Sequence, residues 1–217
     1  MPTNRPGLLS VWNDIDAEHE AEFSAWYTEE HFGERLALPG FVSGQRYRDA
    51  AAPLSFAALY DTLDFAVLES PAYRACLANP SPRTRSIMPR FRNMVRGLGT
   101  IEAAFGAPGA GGAWLAVIEL AERPAEDRLR AFCEALLAQG AVARVRLAVP
   151  RAMKSEPNPE AKFRAVPDRV PPPFLLVEGE AEAGVRAAAA SLQEAFAGAQ
   201  AARVYTKIEA RRGSAAP

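Results

Sequence analysis

The sequence is poor in the residues that most often build metal sites and disulfides. It has two histidines and two cysteines among 217 residues, and Cys76 and Cys133 lie far apart in apolar helical contexts, which indicates reduced thiols. It contains no C-x-x-C or H-x-x-x-H pair, no phosphate-binding loop, no dinucleotide glycine fingerprint and no G-x-S-x-G nucleophile motif. We therefore predict no metal site and no cofactor.

Long apolar runs and an excess of one charge are also missing. No run approaches the ~20 residues that a membrane span needs, and the N-terminus lacks the apolar core of a signal peptide. The formal net charge is −1, which gives no general attraction to nucleic acids or anionic membranes. We expect a cytoplasmic protein that binds neither nucleic acids nor membranes. A small-molecule ligand is possible.

The order of predicted elements is β-α-β-β-α-β, and it occurs twice. The first set has strands at 8–13, 41–48, 55–61 and 94–105, with helices from 17 onward, at 65–77 and at 83–92. The second set has strands at 114–120, 141–149, 174–180 and 202–210, with helices at 124–139 and 183–197. Each set matches a ferredoxin-like unit, and the alternative is two unrelated α+β domains.

A glycine-rich stretch at 106–112 separates the two sets and reads as a linker. We therefore predict an N-terminal unit at 1–105 that carries the candidate site, a degenerate C-terminal unit at 113–212 and a tail at 213–217. A ferredoxin-like sheet has helices on one face only, so its other face needs a cover. We expect the two sheets to pack face to face within the chain as an internal pseudo-dimer, and a homodimer of whole chains stays possible.

The stretch 23–41 is the densest in reactive side chains. Phe23, Trp26, Tyr27 and His31 fall at i, i+3, i+4 and i+8, which places them on one stripe of a helix. A Leu-Pro-Gly turn at 38–40 follows.

This stretch resembles the first helix and turn of the dimeric α/β-barrel superfamily, closest to the EthD-like proteins. The resemblance rests on the aromatic pair Trp26–Tyr27, on His31 and on the turn at 38–40. Phe32-Gly33 departs from the Gly-Pro pair that is more typical after the histidine. The resemblance implies an α+β fold of two units forming an intrachain dimeric α/β barrel. The superfamily includes cofactor-free monooxygenases, isomerases, cyclases and haem-binding proteins, so the resemblance predicts the fold better than the reaction.

His31 is the candidate catalytic residue. A histidine walled by aromatic rings can serve as a general acid or base near neutral pH. The alternative is a buried neutral histidine that donates to a backbone carbonyl. Glu34 and Arg35 are interpreted as a solvated surface pair, and His19 as an inert residue in an acidic first turn.

Charges are segregated along the first half. Eight acids and no lysine or arginine lie between residues 14 and 34, whereas six arginines and no acid lie between 70 and 101. The arginines either neutralise the first helix or supply a clamp for an anionic ligand. For the clamp we select Arg92 and Asn93, followed by Arg46.

Aromatic side chains complete the predicted ligand site. Trp26 and Tyr27 would shape it, and Trp12, Tyr47 and Tyr60 lie on strands, where they either line a cavity or fill the core. The proline-rich connection at 150–173 either caps one mouth of the barrel or forms a surface hairpin.

The sequence leaves the function open between three classes. The first is an EthD-like enzyme of small-molecule metabolism, with cofactor-free proton transfer or oxygenation on an aromatic or polyketide-like substrate. The second is a non-catalytic binding or assembly module. The third is a haem-binding protein.

Overall fold

The computed structural model describes residues 5–49, 54–109, 111–151, 159–164 and 168–214. The first unit has strands β1 (Gly7–Ile15), β2 (Phe41–Arg48), β3 (Phe56–Thr62) and β4 (Phe91–Gly106), and helices α1 (Glu20–Trp26), α2 (Phe32–Leu36), α3 (Pro71–Ala78) and α4 (Pro82–Ile87). The second unit has strands β5 (Trp114–Glu119), β6 (Arg144–Pro150), β7 (Phe174–Gly179) and β8 (Arg203–Arg212), and helices α5 (Glu126–Ala138) and α6 (Glu182–Ala195).

The strands form one closed antiparallel barrel in the order β1-β3-β2-β8-β5-β7-β6-β4. Within this ring each unit has the spatial order of its own strands 4-1-3-2, which is the ferredoxin-like arrangement. The units join through β2 with β8 and through β4 with β6. The predicted α+β fold, two ferredoxin-like units closing an intrachain dimeric α/β barrel, is confirmed. The proposed domain limits stay a prediction; β4 ends at Gly106 and β5 begins at Trp114.

Side-chain alternation along the strands divides the interior into three layers. On β1, Leu8 and Trp12 point into the barrel, whereas Leu9 and Val11 point outward to the helices. One helix-facing core therefore covers the first unit and another covers the second, with the barrel interior between them. Successive strand residues face opposite sides of a sheet, so a residue's place in this alternation decides which layer it joins.

The barrel interior also holds a buried ionic cluster. Arg146 and Glu178 have no exposed surface, and Arg146 Nε donates to Glu178 Oε2 at 3.1 Å. Arg146 Nη1 donates to Asp61 Oδ1 at 2.7 Å, and Asp61 also accepts from Ser43 Oγ at 3.0 Å. The cluster links β3 and β2 of the first unit to β6 and β7 of the second.

Short helices follow the signals in the sequence. Ser70 and Ser81 accept hydrogen bonds from the backbone N–H groups of Tyr73 and Thr84. Each serine is followed directly by a proline, which suits the first position of a helix. These two caps start α3 and α4 and so place Tyr73 and Thr84 against the first unit's core.

Gly44 on β2 is the basis of a stability prediction. A Cβ at this position would lie 2.5 Å from Phe32 Cε2, and Phe32 is fully buried. Because the ring has no free space, we expect Gly44→Ala to destabilise the protein by about 1–3 kcal/mol, measured by urea unfolding.

Gly33 provides the matched control. It lies in α2, and nothing stands within 4 Å of an added Cβ. Gly33→Ala should stabilise the protein by about 0.5–1 kcal/mol, because alanine loses less backbone entropy in a helix. Equal effects of the two changes would contradict the packing argument.

Candidate functional site

The candidate site is a cavity between the first helical segment and the outer face of the first unit's sheet. Its volume is about 30 Å³, which is room for one or two water molecules. Trp26, Phe91, Met88 and Met94 form apolar walls. Its polar groups come from Tyr27, His31, Arg35, Tyr60, Tyr73, Arg96, Glu160 and Arg164.

A π-helical turn at Tyr27–His31 interrupts the first helical segment between α1 and α2. The backbone N–H of Phe32 bonds to the carbonyl of Tyr27, five residues earlier. Such turns insert one extra residue and are frequent at functional sites. The predicted stripe of Phe23, Trp26, Tyr27 and His31 is buried as expected, and the inserted residue also turns Phe32 and Arg35 inward.

His31 is held between aromatic rings. Its ring centroid is 4.3 Å from that of Trp26 and 5.0 Å from that of Tyr27. Trp26 is itself fixed, because its Nε1 donates to Thr84 Oγ1 at 3.0 Å. The rings orient the imidazole at the cavity wall.

The imidazole is neutral and has an unused nitrogen. Burial, followed by the positive charges of Arg35 and Arg46, lowers the pKa of His31 well below its ordinary value of 6.5. Nδ1 is buried without a hydrogen-bond partner, and the nearest carboxylate oxygen, Glu34 Oε2, is 4.0 Å away. Nδ1 of His31 therefore does not donate to a backbone carbonyl, as it would in the structural alternative. A neutral imidazole can accept a proton, so the site suits a base.

Tyrosine hydroxyls supply hydrogen bonds beside His31. Tyr60 Oη donates to Tyr27 Oη at 3.3 Å. Burial raises the pKa of both phenols, so both stay protonated at neutral pH. On the far wall, Tyr73 Oη accepts from Arg96 Nη2 at 2.8 Å.

Arg35 is the buried cation of the site. Its side chain is 4% exposed, and its Nη2 lies 2.5 Å from Oε1 of Glu160, which is 7% exposed. Burial lowers the pKa of Arg35, but Glu160, Tyr73, Cys76 and Tyr60 together outweigh it, so the pKa rises above its ordinary value. The interpretation of Arg35 as a solvated partner of Glu34 was wrong, because the π turn rotates it into the core.

Arg46 supports the site from behind. Its Cζ lies 4.1 Å from the centroid of the Tyr27 ring. It donates to Glu209 Oε2 at 2.8 Å and to Thr28 Oγ1 at 2.9 Å. Arg46 therefore contacts the wall of the cavity rather than its interior.

Four predicted ligand-binding residues lie elsewhere. Trp12 and Tyr47 point into the barrel, on the opposite side of the sheet from His31. Trp12 packs edge-on against Phe174 there, with ring centroids 5.1 Å apart. Arg92 and Asn93 are exposed at the start of β4 and do not reach the cavity.

Three of the six arginines in the arginine-rich stretch pair with acids in or just before the first helical segment. Arg92 pairs with Asp16 at 2.7 Å, Arg83 pairs with Glu29 at 2.8 Å, and Arg90 pairs with Glu22. Asn93 donates to Asp14 at 2.8 Å. The clamp interpretation of Arg92 and Asn93 is thus not supported by their positions, and the neutralising interpretation fits them.

The second unit contributes to the site through the long connection at 150–173. The cover helix, a 3-10 helix at Pro159–Phe163, brings Glu160 to the cavity. Farther along, Arg169 exchanges backbone hydrogen bonds with Met94 and Arg96 of β4. The connection is therefore not a surface hairpin where it is described; residues 152–158 and 165–167 lie outside the described residues.

The described part of the chain contains neither a disulfide nor a cluster of metal ligands. Cys76 and Cys133 are both free thiols, and Cys76 Sγ accepts a hydrogen bond from Arg35. Within the described ranges, no group of three histidine, cysteine or acidic side chains converges as metal ligands would. No described helix is long and apolar enough to cross a membrane.

Comparison with known proteins supports the fold. No family model and no curated protein matches the chain. Among solved structures, an anthrone oxidase-like protein has a TM-score of 0.58 at 8% identity, with 98% of this chain and 95% of that chain covered. A proposed monooxygenase from Fusobacterium nucleatum has a TM-score of 0.58 at 8% identity and 97% and 95% coverage. A chlorite dismutase from Candidatus Nitrospira defluvii has a TM-score of 0.56 at 9% identity and 95% and 92% coverage.

Proposed function

We propose that this protein, whose fold is the dimeric α/β barrel, is an EthD-like enzyme of small-molecule metabolism that removes a proton from a flat aromatic or polyketide-like substrate. The observation that carries the proposal is His31, a buried neutral imidazole with an unpartnered nitrogen at the wall of an aromatic cavity. A base of this kind needs no cofactor.

The groups around His31 suit an acidic C–H bond next to a carbonyl. Loss of the proton to His31 leaves negative charge on the carbonyl oxygen. The hydroxyl of Tyr27, which accepts from Tyr60 and can itself donate, and the guanidinium of Arg35 line the same cavity and can stabilise that charge by hydrogen bonding. The aromatic walls favour a flat ligand. An electron-rich carbanion formed in this way can react with dioxygen, which would make the reaction an oxygenation.

The fold is one that proteins described as oxygenases also have. Two of those compared are described as an anthrone oxidase-like protein and a proposed monooxygenase. Because their sequence identity to this chain is only 8%, these structures show the fold alone. The chemical argument rests on the residues of this chain.

Haem binding is disfavoured by the same site, although one neighbour is a chlorite dismutase. The cavity beside His31 measures about 30 Å³, so even a flat aromatic ligand needs its walls to move. A haem macrocycle is larger still and would need a much larger displacement. The imidazole is also stacked against Trp26 at 4.3 Å. The residues present do not fit the group in this arrangement.

A non-catalytic binding or assembly module is the second candidate. The cavity is small, and Arg35 is already paired with Glu160. Both features favour this candidate, because a polar core that binds no ligand would show them too. The two candidates differ in whether the protein accelerates proton exchange.

Deuterium exchange into anthrone tests the proposal. Anthrone is a flat ketone with an acidic methylene group, and the exchange can be followed by NMR under nitrogen so that oxidation does not interfere. We expect the protein to accelerate the exchange above buffer. Because the pKa of His31 is well below 6.5, His31 should stay a free base, and the catalysed rate, corrected for buffer, should remain flat from about pH 8 to about pH 6.

Two outcomes would count against the proposal. No acceleration either by the folded native protein or by the Glu160→Ala variant, which lacks the carboxylate paired with Arg35, would favour the non-catalytic module. A catalysed rate that falls between about pH 8 and about pH 6 would show that the base is a group other than His31.

A further inference from the structure

The cover helix raises the question of how a substrate enters. The cavity has room for one or two water molecules, whereas a flat aromatic ligand is several times larger. The structure therefore shows a closed state, and ligand binding requires the cover helix, Pro159–Phe163, to move.

The contacts of the cover helix with the first unit centre on one ion pair. Glu160 Oε1 bonds to Arg35 Nη2 at 2.5 Å between side chains that are both nearly buried. Phe163 packs at the edge of the first unit's core, with Arg85 Cζ 5.8 Å from its ring centroid. Glu160 is thus the charged anchor of the cover.

Arg35 has no alternative carboxylate partner within 4.0 Å among the described residues. Glu34 is nearest to His31, and Glu30 accepts from Ser81. When Glu160 leaves, the guanidinium would stay buried among Tyr73, Cys76 and apolar walls. A buried cation without a counter-ion is strongly unfavourable, so opening is favoured only when another anion replaces Glu160.

We propose that the substrate is an aromatic acid whose carboxylate takes the place of the Glu160 carboxylate on Arg35, so that Glu160 is an internal competitor that keeps the site closed until such an acid binds. This inference rests on the proposed function for the identity of the site. The carboxylate would bind Arg35 with two parallel hydrogen bonds, and the ring system would extend toward His31, which lines the same cavity.

The charges around the opening agree with an acid. After Glu160 leaves, Arg35 faces a cavity that Arg96 and Arg164 also line. Arg96 is bound to the neutral hydroxyl of Tyr73, and Arg164 pairs with Asp168 at 2.5 Å. The open site would therefore be cationic, and a neutral ligand would leave Arg35 uncompensated.

The test compares an acid with its neutral ester. Anthraquinone-2-carboxylate and its methyl ester are stable in air, and their binding can be measured by calorimetry. If the open state is about 1–10% populated in the native protein, removal of the competitor should tighten acid binding about 10–100-fold. We expect this gain for both ligands in Glu160→Ala, because both need the cover helix to move. In each protein the acid should bind more tightly than the ester, because only the acid can pair with Arg35. Glu160→Ala combined with Arg35→Gln should lose the preference for the acid.

Glu182→Ala is the matched control, because Glu182 also forms an ion pair, with Arg186 on the surface of the second unit. It should leave the affinity for both ligands unchanged. No preference for the acid over the ester in either protein would show that Arg35 does not bind the carboxylate, and no tightening in Glu160→Ala would show that Glu160 does not compete. Either result overturns the inference.

Stability gives a second readout if Glu160→Ala is poorly folded. Saturating benzoate should raise its melting temperature, or restore folding, by supplying the missing carboxylate, and benzamide should not. No recovery with benzoate overturns the inference. These binding and stability measurements do not involve proton transfer, and anthrone exchange in Glu160→Ala does not require the displacement of a carboxylate, so failure of the inference and failure of the proposed function are distinguishable.

Discussion

Replacing Arg146 by methionine is expected to lower the free energy of unfolding by about 3–5 kcal/mol. Arg146 lies in the barrel interior with no exposed surface, between Glu178 at 3.1 Å and Asp61 at 2.7 Å. Methionine fills similar space but removes the positive charge, so Glu178, which is also fully buried, is left without a counter-ion. Urea unfolding at neutral pH measures the loss.

Two further variants separate charge from packing. Arg146→Met combined with Glu178→Met removes both charges and should be more stable than the single Arg146 variant, because a buried pair replaced by apolar groups is often nearly neutral. Arg130→Met removes an exposed partner of Glu126 on α5 and should cost only about 0.3–0.5 kcal/mol. A loss for Arg146→Met as small as that for Arg130→Met would show that water compensates the cluster.

The order of strands and helices along the sequence was enough to predict the fold. The order β-α-β-β-α-β, repeated after a glycine-rich stretch, predicts two ferredoxin-like sheets, and the uncovered face of each sheet requires a partner. This argument uses local periodicity and the burial of apolar faces. Neither argument depends on a contact between two particular residues that are far apart in the sequence. The two sheets and their packing against each other could therefore be predicted.

The strand residues of the site were harder to assign because a sequence does not show which face of a strand is which. Arg46 and Tyr47 are both predicted from the sequence to line one cavity, yet neighbours on a strand point to opposite faces of the sheet. The structure puts Arg46 behind Tyr27 and Tyr47 inside the barrel. Irregular pairing adds to the difficulty, since the register between β1 and β4 shifts between Trp12 and Asp14.

Two features of the site have no local signal in the sequence. The π turn adds one residue between α1 and α2, which rotates later residues by about 100° relative to a regular helix. A regular helix would leave Arg35 at the surface, and the structure buries it. Glu160 lies 125 positions from Arg35, and only the closed barrel brings the second unit's long connection to the first unit. The site was expected to be confined to the first unit, and this expectation was wrong.

Replacing His31 by glutamine is expected to lower the catalysed rate of anthrone exchange by about 10²–10⁴-fold, which is the usual contribution of a general base. Glutamine keeps a polar side chain of similar size against Trp26 and Tyr27, but its amide does not accept a proton near neutral pH. The rate is measured by NMR as before, and melting temperatures show whether the variant is folded.

His19 offers a matched control on the same helical segment. Its side chain is 29% exposed and lies beside Glu18, and it does not line the cavity. His19→Gln should therefore leave both the exchange rate and its pH profile unchanged.

The combination of rate and stability decides between the two candidate functions. A folded His31→Gln protein that has lost the exchange activity but still binds anthraquinone-2-carboxylate would place His31 in the chemical step. A loss of stability with no effect on exchange would make His31 a structural residue of the aromatic core. The cavity would then be a satisfied polar core, and the non-catalytic module would be the better description of the protein.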